Sequence, residues 1–156
     1  MKAITIWQPY ASLVAIGAKS IETRGWATNY RGSILIHAAK LWNNDRALDC
    51  QRVIEFLRNR DFQPESEAAN RISNLSWEET LGCGLAVARL VDCRPMEAGT
   101  NELESEFGFF GPDRFGWVLE DVQPLDTPFP IRGAQGLWQV VTDDFRSIQA
   151  RLSNAA

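Results

Sequence analysis

The apolar positions along the chain fall mostly into short runs rich in β-branched and aromatic residues, a pattern typical of strands. Six such runs occur, at residues 3–7, 20–24, 33–38, 82–93, 115–122 and 136–142. The run SILIHA at 33–38 is apolar enough to predict a strand that is buried on both faces. Irregular connections join the runs, with no alternation of strand and helix. The pattern therefore predicts a mixed α+β fold, a small β-barrel of about six strands with flanking helices.

Four segments predict the flanking helices. Pro9 and Gly17 bracket a short one at 9–16, because proline favours the first turn and glycine follows the last. A longer helix, capped by Asn43 or Asn44, runs to about residue 58. An acidic helix is predicted at 101–107 and a terminal helix at 142–152.

The domain organisation is simple. Residues 61–80 show weak periodicity and many polar side chains, which predicts a surface insertion with a helical piece near 65–72. No repeat, low-complexity tract or linker divides the sequence. We therefore expect a single domain over residues 1–156.

The charge balance limits the class of partner. Sixteen Lys and Arg face twenty Asp and Glu, which gives a net charge of −4 and a pI near 5.0. This balance excludes a polybasic nucleic-acid binder. A nucleic-acid site in such a chain has to be a local basic cleft in an acidic surface.

Histidine and cysteine usage limits the chemistry. One histidine excludes metal sites that need two imidazoles, and the three cysteines form no Cys-x-x-Cys pair. We therefore expect no metal and no cofactor. The unpaired thiols, the lack of a signal peptide and the lack of an apolar stretch of about 20 residues predict a cytoplasmic protein with no membrane partner.

One octet concentrates charge in a β-prone stretch. In GAKSIETR, residues 17–24, Glu22 and Arg24 project from the same face of a strand, and Lys19 lies in the turn that enters it. The alternative is an edge strand whose charges face solvent. Trp7 and Trp26 lie on either side of the octet in sequence, either as stacking platforms for an unpaired base or as half-buried core residues.

Other residues offer candidate chemistry outside the octet. His37 is either a general acid or base for a ribonuclease or a structural imidazole. Arg114 and Arg132 lie in loops rich in Gly and Pro, where they either clamp phosphate or are simply solvated. Trp117 and Trp138 lie in strand-like runs and are expected to pack in the core.

The blocks IWQPYASL, GAKSIETR, NYRGSILIHAAK, GWVLEDVQPL and GLWQV, in this order, resemble the ASCH domain. The similarity spans residues 2–141, with 61–80 least covered. The resemblance implies a PUA-like β-barrel and a nucleic-acid cleft beside the G-x-K-x-x-E-x-R octet. It places Lys19, Glu22 and Arg24 in that cleft, with Trp7, Gln8 and Pro9 at its wall.

We therefore predict a module that binds RNA or another single-stranded nucleic acid by holding an unpaired base or end. Glu22 would accept hydrogen bonds from the base edge, Lys19 and Arg24 would hold phosphate or balance the carboxylate, and Trp7 or Trp26 would stack. One alternative is a metal-independent hydrolase of a modified nucleoside or of RNA, with Lys19 and Glu22 as its acid and base. An amidohydrolase branch of the resemblance has Thr in place of Glu22, which disfavours that activity here. A further alternative is a protein-interaction module in transcription regulation.

Overall fold

A computed structural model describes residues 1–96 and 106–153. Its strands form one six-stranded sheet that curls into a half-barrel, with the order β2-β5-β4-β3-β1-β6. They are β1 Lys2–Ile6, β2 Ile21–Arg24, β3 Gly32–Ala38, β4 Cys83–Pro95, β5 Phe115–Pro130 and β6 Leu137–Gln139. β1 and β3 pair in parallel and the other neighbours pair antiparallel. The predicted mixed fold of about six strands is confirmed.

Five helices flank the sheet within the described residues: α1 Tyr10–Ala15, α2 Asn44–Asn59, α3 Glu67–Ser73, α4 Trp77–Thr80 and α5 Thr142–Ser153. Asn43, one of the two predicted capping residues, is the N-cap of α2. Its side chain accepts a hydrogen bond from the Arg46 N–H. The acidic helix predicted at 101–107 falls mostly outside the described residues. None of the described helices has both the length and the apolar character to cross a membrane.

β5 is longer than the predicted run 115–122, which was expected to end before Pro124. The strand continues to Pro130, and its pairing with β4 runs to Pro124, shifts register and resumes at Phe129. β2 reaches β5 only at Phe115–Val118. Beyond that point the other side of β5 is an edge within the described part of the chain, and prolines there lose no ladder hydrogen bond.

The core lies on both faces of the sheet, as the apolar run of β3 predicts. Ile34 and Ile36 join one cluster with α1 and α3, whereas Leu35 joins a second cluster with Ile148 of α5. The alternation follows from the two-residue period of a strand. Trp117 is completely buried, as predicted, and Trp138 is partly buried against the second cluster. This packing leaves the octet at one end of the sheet, on its edge strand β2.

Candidate nucleic-acid interface

The three charged residues of the octet form one connected group. Glu22 Oε2 lies 3.8 Å from Lys19 Nζ, and Glu22 Oε1 lies 3.2 Å from Arg24 Nε. The second contact is an ion pair whose angle is too poor for a hydrogen bond. Arg24 Nη2 donates a 2.7 Å hydrogen bond to the Thr5 carbonyl, which ties β2 to the end of β1. A carboxylate is thus held between two cations at the sheet edge.

Lys19 is buried beneath this group and is only 1% exposed. Its ammonium donates to the Ile21 carbonyl and lies 5.8 Å from the centre of the Phe110 ring. Lys19 is not part of the lining of either cavity described below. It therefore acts on the site through the charge it presents to Glu22.

A cavity of about 490 Å³ opens beside the octet, and we call it the octet cavity. Glu22, Arg24 and Arg114 provide its charged groups. Arg114 is fixed by a 3.1 Å hydrogen bond from Nη2 to the Thr23 carbonyl, and its guanidinium lies 5.8 Å from the centre of the Phe109 ring. The cavity volume falls in the usual range for small-molecule sites.

Two indoles border the octet cavity with much of their surface open to solvent. Trp7 is 50% exposed and Trp26 is 38% exposed. The Arg46 guanidinium lies 4.6 Å from the centre of the Trp7 ring, and Trp26 makes an edge contact with the buried Trp117 at 4.6 Å between ring centres. Exposed rings beside guanidinium groups suit the stacking of an unpaired base.

Gln8 and Pro9, expected at the wall of the cleft, lie away from both cavities. The Gln8 side chain is completely buried and donates from Nε2 to Ser12 Oγ at 2.7 Å and to Thr80 Oγ1 at 2.5 Å. Its Oε1 accepts the Ser12 N–H at 3.0 Å. Gln8 points inward because it joins the start of α1 to α4, and Pro9 is the N-cap residue of α1.

A second, larger cavity of about 1060 Å³ adjoins the first, and we call it the loop cavity. Its far wall is the loop 130–136, and its charged groups are Arg24, Lys40 and Arg132. Four residues line both cavities: Thr5, Trp7, Arg24 and Trp26. The sequence pattern does not predict this cavity. The sequence indicated this cavity only through Arg132, which lies in a loop rich in Gly and Pro.

His37 forms part of the floor of the loop cavity and is 2% exposed. Burial lowers the pKa of its imidazole below 6.5, against the opposing effect of hydrogen bonding to Ile131 and Gly82. Nε2 lies 3.0 Å from the Ile131 carbonyl. Because a carbonyl only accepts, Nε2 carries the proton of the neutral ring, and the buried Nδ1 makes no hydrogen bond of good geometry.

The described residues contain no group of three or more His, Cys, Asp or Glu side chains that could hold a metal ion. Cys50, Cys83 and Cys93 are all free. Burial raises the pKa of the Cys50 thiol to about 12, with the nearby Asp49 carboxylate acting in the same direction. Cys50 is therefore a packing residue and not a reactive thiol.

Comparison with known proteins gives one consistent match. The family model of the ASCH domain matches residues 4–126. Activating signal cointegrator 1 of Homo sapiens is 25% identical over 141 residues, and the mouse protein is 24% identical over the same length. These matches cover 88% of this chain but only 22% of each relative, so the chain spans about a fifth of their length.

A solved ASCH protein of Zymomonas mobilis has a similar fold, with a TM-score of 0.53 and 14% identity. The match covers 96% of this chain and 93% of that one. A mutant of the same protein matches equally well. At this identity the likeness concerns the fold alone. The matched family is generally associated with RNA binding.

Proposed function

Because this chain belongs to the ASCH domain family, we propose that it is an RNA-binding module that holds an unpaired base in the octet cavity. The observation that carries the proposal is the pairing of charge and aromatic surface at one place. Glu22, Arg24 and Arg114 line a cavity whose rim includes the exposed Trp7 and Trp26.

Each group has a role that its chemistry suits. The Glu22 carboxylate offers two acceptor oxygens, which suit the amino and ring N–H donors of a base edge. Trp26 provides a ring for stacking, and a stacked base is worth about 1–3 kcal/mol. Arg24, which lines both cavities, supplies positive charge for phosphate in a chain whose net charge is −4.

The buried position of Lys19 favours a binder over a hydrolase. A general acid or base has to lie within hydrogen-bond reach of the proton it transfers. Lys19 is 1% exposed and lies outside the cavity lining, whereas Glu22 lines the cavity. The Glu22 carboxylate therefore lines the proposed site, whereas the Lys19 amine that the hydrolase alternative needs does not.

The test is a binding screen with product analysis. Nucleosides, single-stranded RNA and DNA tetramers and an RNA duplex would be titrated by tryptophan fluorescence, and each mixture then analysed for products. We expect single-stranded RNA to bind, the duplex to bind more weakly, and no probe to be converted. Trp26→Leu should weaken binding about tenfold or more.

Trp77→Leu is the matched control, because Trp77 lies in α4 and lines neither cavity. It should bind as the parent does. Failure of every probe to bind would overturn the proposal and leave the protein-interaction alternative. Turnover of RNA or of an acetylated nucleoside would replace it with the hydrolase.

We also propose that the protein acts in the cytoplasm, where free thiols such as those of Cys50 and Cys83 stay reduced.

A further inference from the structure

We propose that the loop cavity is a second subsite, which takes the phosphodiester and the neighbouring nucleotide of the strand whose base occupies the octet cavity. This inference rests on the proposed function and specifies the class of ligand. The ligand is then a single strand of at least two nucleotides, and a free nucleoside fills only part of the site.

The two cavities are neighbours that share part of their lining. Trp7, Arg24 and Trp26 line both. Arg24 borders both cavities, and its guanidinium is held in place by the Thr5 carbonyl. A strand that occupied both cavities would cross from one to the other at the Arg24 side chain, beside the exposed Trp7 and Trp26.

The charges that line the two cavities indicate which part of a nucleotide each cavity would bind. Arg24, Lys40 and Arg132 line the loop cavity, and no Asp or Glu appears among its described lining residues. The octet cavity includes the carboxylate of Glu22. Because a carboxylate repels phosphate and accepts from base donors, the phosphodiester belongs in the loop cavity and the base in the octet cavity.

The wall of the loop cavity is fastened at both ends. The Ile131 carbonyl accepts from His37 Nε2 at 3.0 Å, and the Ala134 carbonyl accepts from Thr5 Oγ1 at 2.9 Å. These bonds place Arg132 between two fixed points of the loop. A loop that is already ordered loses little entropy when a ligand binds.

His37 supplies a second, independent sign of a ligand at this wall. Its buried Nδ1 makes no hydrogen bond of good geometry, and Gly133 lies against that edge of the ring. A Cβ at position 133 would lie 2.7 Å from Nδ1. An unpaired buried acceptor is costly. A hydroxyl or amino donor of the second nucleotide is the kind of group that would satisfy it.

The experiment compares ligands that differ by one phosphodiester. The four ribonucleosides, their 3′-monophosphates and the sixteen ribodinucleoside monophosphates would be titrated by calorimetry, with the methylphosphonate analogue of the tightest dinucleotide as its uncharged counterpart. We expect the tightest dinucleotide to bind about tenfold or more tightly than either nucleoside alone. The uncharged linkage should remove most of that gain.

Two variants test which residues provide the higher affinity of the dinucleotide. Arg132→Gln and Lys40→Gln should each weaken the dinucleotide about fivefold to tenfold and leave nucleoside binding unchanged. Both positions are exposed, and the thermal midpoints of the variants verify that they fold. Arg146→Gln, on the exposed surface of α5, is the matched control and should bind as the parent does.

The outcomes separate this inference from the proposed function. Equal affinity for nucleosides and dinucleotides, or for charged and uncharged linkages, would overturn the second subsite and leave the base site intact. A loss of nucleoside binding in Arg132→Gln would also overturn it, because the two cavities would then not divide the ligand as stated. If none of the probes binds, both proposals are overturned together.

Discussion

Replacing Lys19 by methionine is expected to destabilise the fold by about 2–3 kcal/mol, although Lys19 lines neither cavity. The side chain is 1% exposed and its ammonium donates to the Ile21 carbonyl. It also lies 3.8 Å from Glu22 Oε2. Methionine has a similar length but provides neither the charge nor the donor.

The size of the expected loss of stability depends on the contacts that Glu22 keeps in the variant. Removing one partner of a fully buried ion pair typically costs about 3–5 kcal/mol, because the other charge is left unpaired. Glu22 keeps Arg24 Nε at 3.2 Å, and its side chain remains 11% exposed. Methionine also avoids the desolvation of a buried ammonium. These effects reduce the expected loss to about 2–3 kcal/mol, or about 4–12 °C in the thermal midpoint of a domain of this size.

Urea unfolding of four proteins measures the interaction: the parent, Lys19→Met, Glu22→Gln and the double variant. Because the two side chains interact directly, their effects should not add, and we expect a coupling energy of about 1 kcal/mol or more. Lys40→Met is the control, because Lys40 is exposed and its loss should change the free energy of unfolding by less than about 0.5 kcal/mol.

Two results would refute this reasoning. If the free energy of unfolding of Lys19→Met lies within about 0.5 kcal/mol of the parent value, the ammonium does not stabilise the octet. If the two single changes add without coupling, Lys19 does not act on Glu22. Either result would also contradict the statement that Lys19 acts on the site through its charge on Glu22.

Four further predictions concern the cavities. Glu22→Gln should change which base binds most tightly more than it changes the best affinity, because one acceptor becomes a donor; an unchanged order of the four nucleosides would contradict this. Gly133→Ala should lower the thermal midpoint, because its Cβ would lie 2.3 Å from His37 Cε1, and an unchanged midpoint would contradict this. Burial holds the pKa of His37 below 6.5, so the unfolded chain takes up that proton first. The free energy of unfolding should therefore fall as the pH drops below about 6.5, and more steeply in the parent than in His37→Gln. With about two to three phosphates neutralised, log K against log salt should slope at about −1.5 to −2, and a much steeper slope would indicate a wider basic surface.

The sequence pattern was sufficient where the physics is local. The period of two along β2 places Glu22 and Arg24 on one face, and the asparagine before α2 sets its first turn. The ordered blocks also led to the ASCH family and its fold. The predicted run ended at residue 122, whereas β5 continues to Pro130; prolines are tolerated at the edge of a sheet, and the absence of a neighbour on one side of β5 is visible only in the sheet.

The amino-acid sequence by itself determined the elements, the mixed fold and the octet as the centre of charge, because helix caps and strand alternation depend on near neighbours. Only the tertiary structure decided which of those residues meet a ligand. It turned Gln8 inward to bond Thr80, 72 residues away, and it buried Lys19 beneath Phe110. It also brought Ile131 to His37, 94 residues away, which forms the wall of the loop cavity. Contacts at such separations depend on how the whole sheet curls and on which polar groups must find partners inside it, and no local pattern in the chain records them.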